Sequence, residues 1–226
     1  MDDTTWSLVE TERRTLADLL DGLTPEQWET PSLCTEWRIR DVAARLTMTP
    51  AGAPDPWSMA KALVRNRGHL WQAGRDVAIA YAERSTDQIA GDLRRHAASR
   101  TKPVFVVAEN ILLDLVVHGQ DIAVPLGVER PIPLATAEVA LRLSWAMGWP
   151  FYARRRLVGL SLRADDCDWS SGSGPELCGS SAALLLLMNR REEAALELLR
   201  GPGVEVLTQR TGERLRASSP RPDGGE

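Results

Sequence analysis

The run ENILLDLVVHGQDIAVPLG, Glu109 to Gly127, constrains the fold most, because a helix written on it is apolar almost all the way round. At 3.6 residues per turn, Ile111, Leu112, Leu115, Val116 and Ile122 leave little polar surface, the pattern of a helix in the centre of a bundle. Three polar side chains share one side of it: Asp114 and His118 stand i, i+4, and Asp121 follows His118 at i+3. A carboxylate and an imidazole held this way can share a proton, bind a metal ion, or simply satisfy each other. Spacing alone leaves all three open.

A chain of 226 residues that is 43% hydrophobic can bury one large core or two smaller ones, and two are expected. The formal net charge of -4 provides no basic field to neutralise a phosphate backbone, so nucleic acid is not an expected partner. Neither a basic-then-apolar leader nor an apolar run of the ~20 residues needed for a span is present, so the chain should be soluble and cytoplasmic, with no membrane partner. Cys34, Cys167 and Cys178 are an odd number without a CxxC pair, which argues against a disulfide framework or a zinc knuckle.

Helical spacing runs through residues 4–22, a short Pro25-led turn capped by Thr24, and Arg38 to Met48, where Ile39, Val42, Ala43 and Leu46 face inward and Arg45 flanks them. Pro50 to Pro56 reads as a connection, Trp57 to Arg84 as a long helix interrupted at Gly68 and Gly74, and Ser85-Thr86-Asp87 as the cap of a helix over 88–99. After the central helix, 128–133 is a linker and Leu134 to Trp149 a further helix. From Leu157 the period changes to 2, predicting a strand, then a hairpin pairing Cys167–Trp169 with Glu176–Cys178. Two helices over 180–190 and 192–200 and a last strand over 204–207 complete the chain. The fold class is therefore α+β with two domains, an antiparallel helical bundle over residues 1–153 and a small α+β unit over 154–217, with 218–226 as a disordered tail.

Three stretches carry a resemblance: LTPEQWETPSLCTEWRIRDVAARL (Leu23 to Leu46), DLVVHGQDIAVPLG (Asp114 to Gly127) and GLSLRADDCDWSSGSGPELCGSSAALLLLMNRR (Gly159 to Arg191). In this order they resemble the mycothiol-dependent maleylpyruvate isomerase family, within the DinB-like four-helix-bundle superfamily. The resemblance implies a DinB-like four-helix bundle followed by a sterol-carrier-like domain. It also implies a divalent metal held by a His of the second helix and by a Glu and a His four apart on the later helix.

Here those positions carry Arg45, Asp114 and His118, so two of the three ligands depart from the pattern. A guanidinium offers donors only and keeps its charge, so Arg45 cannot ligate a cation and would repel one. It can form a bidentate pair with Asp114, and an Arg45–Asp114–His118 cluster in place of the metal is the expectation. Asp121 and Gln120 would extend the polar face and orient His118; Trp37 and Trp57 could wall a pocket, though core is the expected place for both. His69 and His96 are expected to be structural, and Cys34 to have no catalytic part. The implied function is an enzyme acting on a small anionic metabolite or thiol adduct in the bundle pocket, with mycothiol as the thiol. The alternatives are a metal- and mycothiol-dependent isomerase or S-transferase, and a non-catalytic binder of small ligands. A monomer or homodimer fits either.

Overall fold

A computed structural model describes residues 2–51, 56–102 and 106–218 of the chain. It is an α+β protein that divides into two compact units, residues 1–140 and 141–226. In the first unit, α1 (Asp2–Asp21), α3 (Ile39–Met48), α6 (Thr86–Arg95) and α7 (Ala108–Ala123) enclose one core, with α1 and α3 each packing on both α6 and α7. Val9, Leu16, Leu20, Val42, Ile89 and Leu112 meet there. The apolar circumference of α7 is explained by this: its core-facing and flanking side chains are both covered.

Two helices of this unit start where the sequence supplies a reciprocal cap. Thr24 Oγ1 accepts from the Gln27 backbone N–H and Gln27 Oε1 accepts from that of Thr24, starting α2 (Pro25–Trp28). Ser85 and Gln88 repeat the arrangement at α6, so two otherwise orphaned donors are satisfied at each start. Between α3 and α6, α4 (Pro56–Arg65) and α5 (Leu70–Ala82) pack on one another, and α5 lies on α3. The interruption expected in this region falls at Arg67-Gly68, both at positive φ, but α5 runs straight through Gly74, where an added Cβ would meet nothing within 4 Å. The connection at 52–55 lies outside the described residues. After α7, a 3-10 turn at Val124–Leu126 ends at Gly127 in the left-handed region, and α8 (Leu134–Ala146) follows the segment to Pro133.

The second unit holds α9 (Ala153–Arg156), a three-stranded sheet and three more helices, α10 (Ser181–Met188), α11 (Glu192–Leu196) and α12 (Gly203–Ser218). Its strands are β1 (Ser161–Ala164), β2 (Ser170–Gly172) and β3 (Glu176–Gly179), in the order β2-β1-β3. β1 is antiparallel to β2, with Leu162 opposite Ser171, and parallel to β3, with Leu162 opposite Leu177. The hairpin expected between 167–169 and 176–178 is therefore not formed, since β1 separates its two halves. To reach the far edge, the chain after β2 crosses the start of β1 within three residues. Gly174, at φ 126°, passes so close that an added Cβ would lie 2.3 Å from the Gly159 carbonyl oxygen.

Residues 157–160 are a turn and helix-end segment rather than the beginning of the strand, with Leu157 and Leu160 buried. The strand expected over 204–207 is the first turn of α12: Gly203 and Leu207 face inward, the i, i+4 spacing of a helix, while Glu205 is exposed. At the outer edge of β3, Arg200 exchanges two backbone hydrogen bonds of 2.8 Å with Cys178. Leu184 to Met188 of α10 are all buried, as are Leu160, Leu162 and Leu177 of the sheet side. The tail beyond residue 218 lies outside the described residues.

Candidate functional site

Helix α3 and helix α7 face each other across the first unit's core, and the polar residues of each meet at one place. Arg45, near the last turn of α3, donates from Nη1 to Asp114 Oδ2 at 2.7 Å and from Nη2 to Asp114 Oδ1 at 2.9 Å. One turn further along α7, His118 Nε2 lies 3.4 Å from Asp114 Oδ1, while Nδ1 lies 2.7 Å from Asp121 Oδ2. The helical spacing places the three α7 residues on one face, and the sequence-predicted cluster of Arg45, Asp114 and His118 is brought together.

The row continues into a residue that sequence reasoning passed over. Cys34 Sγ donates to Asp121 Oδ2 at 3.1 Å and lies 3.5 Å from His118 Nδ1. The loop that carries Cys34 is fastened to α7 by the Leu33 backbone N–H, which donates to the Asp121 carbonyl. Within the loop, Ser32 Oγ accepts from the Cys34 backbone N–H and donates to the Trp37 carbonyl. A thiol 84 residues from its partner histidine leaves no periodic trace. The available signal was that both segments carry the family-like motifs.

Burial is greatest at Asp121. Arg45 and Asp114 keep 30% and 39% of their side-chain surface, His118 keeps 13%, and Asp121 none. Burial works against charge at His118, as does the nearby Arg45 cation. The carboxylates of Asp114 and Asp121 outweigh both, and the imidazole pKa is raised to about 10. Its two ring N–H groups then donate to the two carboxylates. At Asp114, burial favours the neutral acid, but the charges of Arg45 and His118 overcome it and hold the carboxyl well below the usual carboxylate range.

The other expected site residues lie elsewhere. Gln120 is buried and donates to the Arg130 carbonyl at 2.8 Å, not to His118, because it stands two residues on from His118, round the helix, and faces the 127–133 segment. Trp37 is half-buried between the main core and a smaller one formed by Met48, Ala73 and Val77. Trp57 is not in the core: it is 67% exposed, with Lys61 Nζ 5.6 Å from the centre of its ring. His69 precedes α5 and is exposed, and His96 ends α6.

A divalent cation does not fit Arg45, Asp114 and His118 together. Both oxygens of Asp114 are engaged by Arg45, whose fixed charge faces the space a ligated ion would need. Cys34, His118 and Asp121 offer a second donor set of sulfur, nitrogen and oxygen. Within it, Nδ1 and Oδ2 stand 2.7 Å apart, a charge-assisted hydrogen bond.

The family model described as the mycothiol maleylpyruvate isomerase N-terminal domain matches residues 9–123, the span that contains Cys34, Arg45, Asp114, His118 and Asp121. The sequence finds no match among curated proteins. Among solved structures, the fold is similar to that of a mycothiol-dependent maleylpyruvate isomerase, with a TM-score of 0.57 and 13% identity, over 89% of this chain and 93% of that one. A histidine-to-alanine mutant of such an isomerase matches with a TM-score of 0.56 and 14% identity over the same shares. With a match over half its length and a fold shared over most of the rest, the chain belongs to the mycothiol maleylpyruvate isomerase N-terminal domain family.

Proposed function

We propose that this protein is a maleylpyruvate-isomerase-like enzyme that acts on a small anionic metabolite or thiol adduct at Arg45, Asp114 and His118, without a divalent metal. The observation that carries this reading is the continuous row Arg45–Asp114–His118–Asp121–Cys34 between α3, α7 and the loop that carries Cys34, in which Arg45 and Asp114 keep 30% and 39% of their side-chain surface and Asp121 keeps none. The same reading takes the helical part, residues 1–153, as a DinB-like four-helix bundle and residues 154–217 as a sterol-carrier-like domain. The closed ring of α1, α3, α6 and α7 supports the first, and the mixed sheet backed by α10 and α12 supports the second.

Each residue has a chemical task. His118, protonated at neutral pH, gives a proton from Nε2 to a substrate atom on its Asp114 side and takes it back as the product leaves. Asp121 fixes the ring through Nδ1, so that the nitrogen aimed at the open end is the one that exchanges the proton. Arg45 stabilises negative charge that develops on a substrate oxygen or on sulfur. Mycothiol, when bound, would supply a thiol nucleophile. The Arg45 guanidinium at the mouth of the row is the feature that favours its thiolate.

Turnover of maleylpyruvate in the presence and absence of mycothiol tests the reading directly. Activity that requires mycothiol, survives EDTA and falls by about 10²- to 10⁴-fold in His118→Ala is the expected result. A proven activity that is unchanged in both His118→Ala and Arg45→Ala would place the chemistry elsewhere.

A further inference from the structure

The Arg45–Asp114 contact is a fork-on-fork pair, two parallel hydrogen bonds of 2.7 and 2.9 Å between a planar guanidinium and a planar carboxylate. It sits at the mouth of the polar row, and about a third of each side chain remains open to water. Ion pairs exposed to this degree contribute little to stability, so opening one is cheap. A carboxylate arriving from solution presents the same two oxygens that Asp114 presents. His118, directly behind, gives the displaced Asp114 a second donor at Nε2, already 3.4 Å from Oδ1.

We propose that Arg45 has taken over the place of a divalent cation and that the Arg45–Asp114 pair is an exchangeable seat for a ligand carboxylate, with Asp114 as its built-in competitor. The inference rests on the proposed function only in taking the same side chains as the working site. On exchange, the guanidinium keeps both hydrogen bonds and transfers them to the ligand, while Asp114 turns toward His118. No covalent bond changes. Because the guanidinium stays charged at every working pH and ligates no metal, the seat operates in the presence of chelator. Asp114 thereby sets a threshold: only an anion that makes both contacts, or adds others, displaces it.

Calorimetric titration of the full chain with malonate in EDTA tests this. Wild type should bind malonate without added metal. Asp114→Asn, which removes the competitor's charge and keeps its shape, should bind about fivefold tighter, equivalent to about 1 kcal/mol. Arg45→Met should bind at least about tenfold more weakly. Arg94→Met should match wild type, since Arg94 pairs with Asp18 and Asp21 on the surface. The tightening in Asp114→Asn cannot arise from misfolding, so the test stands even if Arg45→Met fails to fold.

Malonate binding that appears only on addition of Zn²⁺ or Mn²⁺, or an Asp114→Asn variant that binds no tighter than wild type, overturns the proposal. Loss of mycothiol-dependent turnover with this pattern of binding intact would remove the thiol reading alone. Turnover with no malonate binding would remove the seat alone.

Discussion

His118 is the residue on which solution conditions act most directly. Arg45, Asp114, Asp121 and Cys34 all face its ring or its carboxylate partners; Asp114 and Asp121 outweigh burial and the Arg45 charge and raise its pKa from the ordinary 6.5 to about 10. A group whose folded pKa lies above its unfolded value adds stability that is complete below the unfolded pKa and is lost as pH rises through the folded one. Stability to urea should therefore fall between about pH 6.5 and pH 10, by ~2 kcal/mol once screening at the exposed Asp114 end is allowed for. In His118→Gln that slope should vanish, which urea titrations at several pH values would read. Asp114 works in the opposite sense. Its depressed pKa adds stability above about pH 4 that is lost on acidification. At this scale Arg45, Asp114 and His118 were legible because one helix period and one family motif place them together. Cys34 was not legible, because its contacts depend on how a loop closes over a helix from which it is remote in sequence. Trp57 was misread because apolar character alone does not say which side of α4 a neighbour will cover.

Among the elements, the segment after α7 is held by a buried pair. Arg130 Nη2 donates to Glu12 Oε2 at 2.6 Å, and both side chains are more than nine-tenths buried. Its guanidinium lies over Gly119, where an added Cβ would stand 2.9 Å from Nη1, so the glycine beside His118 leaves room for this strap. Arg130→Met should lower stability by about 3–5 kcal/mol, because Glu12 would be left as an uncompensated buried charge. Equilibrium denaturation measures this, and Glu12→Gln should cost less. Where a glycine bridges strands the constraint is steric: Gly174→Ala should destabilise the second unit by about 1–3 kcal/mol, since neither φ nor the Gly159 carbonyl tolerates a Cβ. Helix starts were readable from Thr24 and Ser85 because a cap is a local hydrogen-bond motif. Strand order was not, because the pairing of β1 with β3 is decided by a crossing that leaves no alternation in sequence. The short run Val204 to Leu207 satisfies a period of 2 and a helical turn equally well, and packing of Gly203 against β3 together with burial of Leu207 decides for the helix.

For the molecule as a whole, the two units carry their thiols at different depths. Cys34 and Cys167 are partly accessible, and Cys178 is buried within β3. Native protein should therefore react with a thiol reagent at the first two positions well before the third, and all three should react in denaturant without prior reduction. Mass mapping of the labelled peptides distinguishes them. A change of hydrophobic period was legible at Leu157, whereas the compact units divide between residues 140 and 141, within α8, where the second unit starts. Its internal topology needed coordinates, because the sheet is assembled from segments of three and four residues whose pairing no single segment encodes.

The sheet of the second unit also limits how the chain can misassociate. Arg200 occupies the free side of Cys178 with paired backbone hydrogen bonds, and the opposite border is only Ser170-Ser171-Gly172. One flank is thus already spoken for and the other is too short and too polar to template a foreign strand. Clumping of partially unfolded protein should in consequence start from the apolar surface of a dislodged α10, leaving strand-pairing dyes dark in the earliest aggregates.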